Sequence, residues 1–207
     1  GHAPMTDYIG SIDNDRLVGG DANDGFFIDQ GGSDTVKGGG GDDEIHAGAA
    51  FGADDQINGG TGDDVLILDG DYAAGVVFGD RTLVGVERVE LTAGHDYDLT
   101  LSDRSAASAT NVDGAILAIS GDGLGIDDHI RIDASALQAG HGLAYSASGD
   151  ATSVIVGGAG NDVLTFVEGG RFDVSGGGGN DTVALYRAMT QADHFDGGAG
   201  EDALVVF

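Results

Sequence analysis

Large apolar residues recur along the chain in short segments separated by glycine and aspartate. Most of them follow an aspartate by two places, and the segments come about every ten residues at both ends of the chain. Apolar segments this short, bounded by turn-forming residues, are typical of half-buried β-strands rather than helices. The pattern predicts many short strands with these inward residues: Leu17, Phe26, Val36, Ile45, Ile57, Leu66, Leu164, Val174, Val183, Phe195 and Leu204.

A nonapeptide repeat produces this pattern. Residues 38–46 (GGGGDDEIH) fit G-G-x-G-x-D-x-U-x, in which U is a large apolar residue. Residues 59–67, 157–165, 176–184 and 197–205 fit as well, and residues 19–27 fit except at Ala22. A flexible acidic linker is the alternative interpretation, but a linker gains nothing from regularly placed apolar residues.

The sixth-position aspartates form two interleaved series. Asp15, Asp34 and Asp55 are separated by steps of 19 and 21 residues, and so are Asp24, Asp43 and Asp64. We expect a coil with two nonapeptides per turn, which stacks one series along one edge and the other along the opposite edge. A shift of 138 residues maps the second series onto Asp162, Asp181 and Asp202, and maps Asp55 onto Asp193.

These motifs resemble the RTX (repeats-in-toxin), or hemolysin-type calcium-binding, repeat family over roughly residues 10–69 and 149–207. The resemblance implies an all-β fold, a right-handed parallel β-roll or β-solenoid, with several Ca²⁺ ions between stacked glycine-rich turns. It implies that carbonyls of positions one, three and five in one turn face carbonyls of positions two and four and the aspartate carboxylate in another. The metal residues expected on this basis are Asp15, Gly19, Gly20, Asn23, Asp24, Asp34, Gly38, Gly39, Gly41, Asp42, Asp43, Asp55, Gly59, Gly60, Gly62, Asp63, Asp64, Gly157, Gly158, Gly160, Asn161, Asp162, Gly176, Gly177, Gly179, Asn180, Asp181, Asp193, Gly197, Gly198, Gly200 and Asp202.

The domain organisation follows the repeats. Residues 1–9 are interpreted as a tag remnant and lead-in, residues 10–69 as a first roll and residues 149–207 as a second. Residues 70–148 lack the glycine motif but keep short apolar segments. We expect a degenerate solenoid continuation there, and a separate inserted β-domain is the alternative. Residues 105–110 and 134–138 are candidates for single helical turns.

Composition narrows the function classes. The chain has 40 Gly, 31 Asp and only 5 Glu, and its formal net charge is -28. Nucleic acids and anionic membrane surfaces would be repelled by such a chain, and no apolar run approaches the roughly 20 residues that span a bilayer. Because a thin core cannot offset the ordering entropy of so many glycines, we expect bound cations to supply the missing stability.

Catalytic motifs are absent from the sequence. It contains no H-E-x-x-H, no G-x-S-x-G and no phosphate-binding G-x-x-x-x-G-K-[ST] loop. His46 and His194 lie near repeat turns, and the neighbouring His95 and Asp96 lack a nucleophile. Neither a catalytic residue nor a cofactor site is therefore expected, apart from calcium.

Two functions remain from the sequence, and a third possibility is that residues 70–148 contain a carbohydrate-binding or catalytic domain without a recognisable motif. The first is a non-enzymatic calcium-binding module of a secreted bacterial protein, which the resemblance links to type I export and to folding outside the cell. Its role would be structural, adhesive or chaperone-like, with an extracellular or cell-surface location and a cell-surface or glycan target left open. The second is the C-terminal module of a secreted protease, lipase or epimerase whose catalytic domain is not in this chain.

Overall fold

The computed structural model describes residues 5–111 and 114–207, which form a parallel β-solenoid of about nine turns. The first strands lie at Asp7–Ile9 (β1), Arg16–Val18 (β2), Gly25–Phe27 (β3), Thr35–Gly40 (β4), Glu44–Gly48 (β5), Gln56–Thr61 (β6), Val65–Asp69 (β7), Tyr72–Phe78 (β8), Leu83–Val84 (β9), Arg88–Leu91 (β10) and Tyr97–Leu101 (β11). A short helix, Asp103–Ser108 (α1), follows. The remaining strands lie at Thr110–Asn111 (β12), Gly114–Ser120 (β13), His129–Asp133 (β14), His141–Ala147 (β15), Thr152–Val156 (β16), Val163–Phe166 (β17), Arg171–Ser175 (β18), Thr182–Leu185 (β19), His194–Asp196 (β20) and Ala203–Val206 (β21).

Three sheets form the walls of the solenoid. The long sheet has the order β1-β3-β5-β7-β10-β13-β15-β17-β19-β21 and runs through both halves of the chain. The N-sheet, β2-β4-β6-β9, is the second wall of the first half, and the C-sheet, β8-β11-β14-β16-β18-β20, is that of the second half. Strand pairing is parallel within these orders, as expected when each strand returns one coil later.

The second wall changes sheets in the middle of the chain. Strand β8 begins the C-sheet, β9 ends the N-sheet, and β10 then returns to the long sheet. Helix α1 packs against β9, so a helix covers the last strand of the N-sheet. An edge strand covered by a helix does not offer its backbone for pairing with another chain.

The core is a column of stacked apolar side chains. In the long sheet, the register places Phe26, Ile45, Leu66, Val89 and Ile119 on successive strands, and each is at most 1% exposed. Each such side chain contributes about 1.5–3 kcal/mol when fully buried. The column continues through the second half with Tyr145, Leu164 and Val183.

The structure confirms the all-β solenoid class and most of the inward residues. Leu17 and Phe195 are only partly buried, and Leu204, on the last strand, is 39% exposed. The helical turn predicted at residues 105–110 overlaps helix α1, which is Asp103–Ser108, but Thr110 already belongs to β12. Residues 134–138 form a turn instead, in which the Leu137 N–H donates to the Ala134 carbonyl. The long sheet runs without a break across the two predicted boundaries between the rolls and the middle segment, at 69/70 and 148/149. The division of the chain at these boundaries stays a prediction. Residues 1–4 of the predicted tag remnant lie outside the described residues.

No helix in the described ranges is long and apolar enough to cross a membrane.

Candidate metal centres

Glycine-rich turns form two stacks along one edge of the long sheet. Each turn ends at the residue before a long-sheet strand, so the strand register also aligns the turns. The first stack holds residues 19–24, 38–43 and 59–64, and the second holds residues 157–162, 176–181 and 197–202. The two expected repeat blocks are thus brought to the same edge of one sheet.

Glycine is required where neighbouring turns approach each other. Gly39 has a φ of 112° and Gly60 a φ of 117°, a conformation that L side chains rarely adopt. A Cβ on Gly60 would also collide with the carbonyl oxygen of Gly39. The repeat glycines therefore let the turns stack with their carbonyl oxygens in contact range of the next turn. Gly20 and Gly158, in the first turn of each stack, have ordinary negative φ.

The sixth-position aspartates connect successive turns by hydrogen bonds. Asp43 Oδ1 accepts the backbone N–H of Asp24 at 2.8 Å, and Asp64 Oδ1 accepts that of Asp43 at 2.9 Å. The second stack repeats the contact from Asp162 to Asp181 (2.9 Å) and from Asp181 to Asp202 (3.0 Å). One oxygen of each of these carboxylates is therefore committed to the preceding turn.

Three of these side chains keep a second carboxylate oxygen without a partner. Oδ2 of Asp43, Asp64 and Asp181 is buried and makes no hydrogen bond, and the three residues are at most 1% exposed. Leaving such an atom unsatisfied costs about 1–3 kcal/mol, and more for a charged group. A cation in contact with these oxygens would remove that cost.

Carbonyl oxygens of the following turn face the same three oxygens. A Cβ built on Gly38 would collide with both Asp43 Oδ2 and the Gly59 carbonyl oxygen. A Cβ on Gly59 would likewise collide with Asp64 Oδ2 and the Gly85 oxygen, and one on Gly176 with Asp181 Oδ2 and the Gly197 oxygen. Carboxylate and carbonyl oxygens are the ligands that Ca²⁺ prefers, so the residues present fit a calcium ion between stacked turns.

The first turn of each stack differs from the others. Asp24 Oδ2 accepts the Gly20 N–H at 3.0 Å, and Asp162 Oδ2 accepts the Gly158 N–H at 3.0 Å. These two carboxylates are therefore satisfied within their own turns. A cation there would have to compete with a hydrogen bond that Asp43, Asp64 and Asp181 do not make.

Fifth-position side chains form a second set of bonds between turns. Asn23 Oδ1 accepts the N–H of Asp42 at 3.0 Å, and Asp42 Oδ1 accepts that of Asp63 at 3.0 Å. In the second stack, Asn161 and Asn180 accept the N–H groups of Asn180 and Glu201, at 2.8 and 2.9 Å. Because these side-chain oxygens already accept an N–H of the next turn, we expect any metal contact from the fifth position to come from its backbone carbonyl.

The series Asp15, Asp34 and Asp55 lies before the N-sheet strands, along the opposite edge. Asp34 Oδ1 accepts the N–H of Asp15 at 2.8 Å, and Asp55 Oδ1 accepts that of Asp34 at 2.7 Å. Asp55 Oδ2 also accepts the Gly52 N–H at 2.8 Å. The expected two edges are both present, but among the described residues the fully buried carboxylate oxygens without a hydrogen-bond partner all lie at the long-sheet edge.

Asp193 has an arginine partner instead of an open oxygen. Arg187 Nη2 and Nη1 lie 2.7 and 2.9 Å from Asp193 Oδ1 and Oδ2, and the Thr190 N–H also bonds Oδ2. Arg187 Nη2 additionally donates to the Gly170 carbonyl at 3.2 Å. Burial acts to raise the pKa of Asp193, but the Arg187 and Thr190 hydrogen bonds lower it well below its usual range. The guanidinium therefore binds the Asp193 carboxylate, for which the family resemblance implied a metal.

We expect Arg187→Met to destabilise the protein even with calcium bound. The substitution leaves the buried Asp193 carboxylate without its countercharge, and breaking such a pair costs about 3–5 kcal/mol. Arg171→Met is the matched control, because the Arg171–Asp173 pair is exposed and contributes about 0–1 kcal/mol. Urea unfolding in saturating calcium compares the two variants. Equal midpoints for both would contradict the role given to Arg187.

Sequence spacing missed Glu87. This residue continues the aspartate ladder, by which we mean the series of carboxylates that each accept a backbone N–H of the preceding turn. Its Oε2 accepts the N–H of Asp64 at 2.9 Å, the contact that an aspartate makes in each turn before it, and the residue is 3% exposed. The turn here is only three residues long, from Gly85 to Glu87, so no nonapeptide marks it. The ladder then ends, because the register puts Leu117 and Leu143 on the next two rungs.

Burial shifts the titration of the ladder aspartates. It raises the pKa of Asp43 and Asp162 to about 6 and that of Asp64 to about 7, and it is the largest cause in each case. Neighbouring carboxylates act in the same direction, Asp24 on Asp43 and Asp43 on Asp64. The pKa values of Asp34 and Asp181 are raised as well. Without a cation, ionising these carboxyls therefore costs more free energy in the folded protein than in an exposed aspartate.

Side chains alone do not form a metal site in residues 5–111 and 114–207. No three His, Asp or Glu side chains converge there, so a bound ion would rely on backbone carbonyls. The neighbouring His95 and Asp96 contact different residues: His95 Nε2 lies 3.3 Å from Asp69 Oδ1, and Asp96 Oδ1 lies 3.1 Å from His129 Nδ1.

Comparison with known proteins gives one family. A family model described as the RTX calcium-binding nonapeptide repeat, in four copies, matches residues 9–24, 28–66, 50–71, 148–166 and 186–205. No curated protein and no solved structure matches the chain.

Proposed function

Since RTX calcium-binding nonapeptide repeats are found in both halves of the chain, we propose that the chain is a calcium-binding module whose folded state depends on ions held between its stacked turns. The observation that carries this proposal is the buried, unpartnered Oδ2 of Asp43, Asp64 and Asp181, each facing a carbonyl oxygen of the next turn. These oxygens have the chemistry and the placement that a hard cation requires.

Each ion would be held by two turns. In the first stack, Asp43 Oδ2 and the carbonyls of Gly39 and Gly41 would contribute from one turn, and the carbonyls of residues 59, 61 and 63 from the next. The second stack would use Asp181 with the carbonyls of residues 177, 179, 197, 199 and 201. Bound calcium supplies positive charge between carboxylates that otherwise repel one another.

Calcium binding of this kind is coupled to folding. The two turns that hold an ion are 19 or 21 residues apart in sequence and meet only in the coil. An unfolded chain therefore lacks the site, and binding energy becomes folding free energy. This coupling suits a chain that is exported unfolded, by a type I system, from low to high calcium. On this proposal the protein is extracellular or at the cell surface, and its role there is structural, adhesive or chaperone-like.

A module of a larger secreted enzyme is the second candidate. The described residues form a β-roll whose stacked turns offer oxygen ligands to calcium. In such an enzyme the roll would assist export and folding, and a catalytic domain elsewhere in the protein would carry the reaction. The calcium chemistry of this chain would be the same in both cases.

Isothermal titration calorimetry tests the proposed function. We expect calcium to bind at several sites per chain, whereas magnesium, which demands a tighter octahedral geometry, binds much more weakly. Asp181→Asn is expected to remove binding at the second stack while Asp173→Asn, on the exposed face of β18, leaves the titration unchanged. A chain that binds no calcium, or binds both ions equally, would disprove the proposal.

Acidification is expected to restore structure to calcium-free protein. Asp43, Asp64 and Asp162 have folded-state pKa values of about 6 to 7 against an ordinary value of 3.8, so the folded state binds more protons between these limits. Their contribution to stability is therefore present at low pH and is lost as the pH rises through 6 to 7. Far-UV circular dichroism of calcium-stripped protein, without chelator, should gain β signal between pH 8 and pH 5. A β signal that falls over this range would contradict the assignment.

A further inference from the structure

The eight basic residues fall into two groups of four. Arg88, Arg131, Arg171 and Arg187 each form an ion pair with an aspartate. Arg16, Lys37, Arg81 and Arg104 are exposed and form no ion pair within the described residues. In a chain with 36 acidic residues, four cationic side chains without an acidic partner need a separate explanation.

The four unpaired residues lie on one side of the molecule, at the outer face of the N-sheet. Arg16 shares a register position with Thr35 and Gln56, and Lys37 shares one with Asn58 on the next strand. Neighbouring strands are about 4.8 Å apart. We call this surface, made of these five residues together with Val84, Asp80, Arg81 and Arg104, the basic face.

A shallow cavity of about 250 Å³ lies on the basic face. Lys37, Arg81 and Arg104 line it, with Asp80 as the one acidic side chain. Thr35, Gln56 and Asn58 add hydroxyl and amide groups, and their side chains make no hydrogen bond to the described part of the protein. Helix α1 brings Arg104 here by packing against β9. The cavity thus combines cations with free hydrogen-bonding groups.

We propose that the basic face binds an acidic oligosaccharide, a linear sugar chain with a carboxylate on its rings. Arginine and lysine form charge-assisted hydrogen bonds with carboxylates, and the amide and hydroxyl groups pair with sugar hydroxyls. The ligand lies across the strands of the N-sheet, so its carboxylates meet cations on different rungs. Screening at physiological ionic strength limits the field of the distant aspartates to about 8 Å, so the local cations determine what binds.

Other polyanions fit this surface less well. Single-stranded nucleic acid is held by aromatic side chains on which bases stack, and the basic face has none. Specific duplex binding buries about 1,000 Å² or more, whereas this sheet has four strands of at most six residues. An anionic membrane surface is normally met by basic residues together with inserted apolar side chains, and none of the apolar side chains that line the cavity is exposed enough to insert.

Binding of short oligouronates to calcium-loaded protein tests the proposal. Oligomers too short to gel with calcium are used, and free calcium is held constant by dialysis. We expect calorimetry to detect binding, and we expect the affinity to fall as the salt concentration is raised. Lys37→Gln/Arg81→Gln/Arg104→Gln should weaken it at least about tenfold, since three charge-assisted contacts are lost. Arg131→Gln/Arg171→Gln, which removes two paired arginines from the C-sheet, should leave it unchanged.

Several results would overturn the proposal: no binding by the wild type, equal binding of the neutral oligosaccharide, tighter binding to anionic vesicles or single-stranded DNA, or equal weakening by the control double variant. The calcium-induced circular dichroism of every variant is recorded, which separates loss of the face from loss of the fold. If the triple variant does not fold, Lys37→Gln and Arg104→Gln are compared singly, and the proposal then requires that each weaken binding.

Discussion

Removal of calcium is expected to convert most of the chain from β-structure to an unfolded ensemble. In the folded state, Asp43, Asp64 and Asp181 each bury a carboxylate oxygen without a hydrogen-bond donor. The core of the solenoid is also thin, because it lies between only two walls of short strands. Occupied sites offset this, because a ligand that binds only the folded state contributes about 2.7 kcal/mol per site at one hundred times its dissociation constant. Two or three such sites approach the whole stability of a typical domain, about 5–15 kcal/mol.

Far-UV circular dichroism with a calcium chelator measures this effect. We expect a coil spectrum in chelator, a β spectrum after calcium is restored, and little recovery with magnesium at the same concentration. Hydrogen exchange should show protection of the long-sheet amides only in calcium. A spectrum that keeps its full β signal in chelator would contradict the idea that the ions are part of the fold.

Asp43→Ala is expected to have the largest effect of any single substitution in the first stack. The side chain lies in the middle turn, where its Oδ1 accepts the Asp24 N–H and its Oδ2 faces the Gly59 carbonyl. The substitution removes a metal ligand and leaves a buried N–H without an acceptor, which costs about 1–3 kcal/mol on its own. We expect calcium-induced folding to require at least about tenfold more calcium.

Two companion variants separate these causes. Asp43→Asn keeps an oxygen that accepts the Asp24 N–H but removes the charge, so it should weaken the calcium response while costing less stability. Glu44→Gln removes a charge from the next residue, which is exposed on β5, and should behave as wild type. If Asp43→Ala and Glu44→Gln titrate alike, Asp43 is not a ligand.

The periodicity of the chain was sufficient to predict the solenoid and its edges. The step of 19 and 21 residues appears directly as the spacing of hydrogen-bonded partners, for example from Asp24 to Asp43 and from Asp43 to Asp64. A repeat that places the same residue in the same environment once per coil leaves the strand register little freedom. The sixth-position aspartates could therefore be predicted to lie on adjacent rungs.

Features outside the repeat could not be predicted in this way. Glu87 continues the ladder from a three-residue turn that contains no glycine motif, and its carboxylate still accepts the Asp64 N–H. Arg187 lies six residues before Asp193 in a segment that contains no G-G-x-G-x-D motif, so the resemblance that implied a metal at Asp193 gave no indication of the guanidinium. The change from the N-sheet to the C-sheet likewise occurs between repeats, where packing rather than periodicity decides which wall a strand joins.

A crystal structure of the calcium-loaded protein, with anomalous scattering measured from the metal, tests the central claim most directly. We predict anomalous peaks between stacked turns, 2.3–2.6 Å from Oδ2 of Asp43 and Asp181 and from carbonyl oxygens of the following turn, and no peak at Asp193. Folded protein in saturating calcium that shows no peak at either aspartate, with those oxygens bonded to water or peptide N–H groups, would contradict the account.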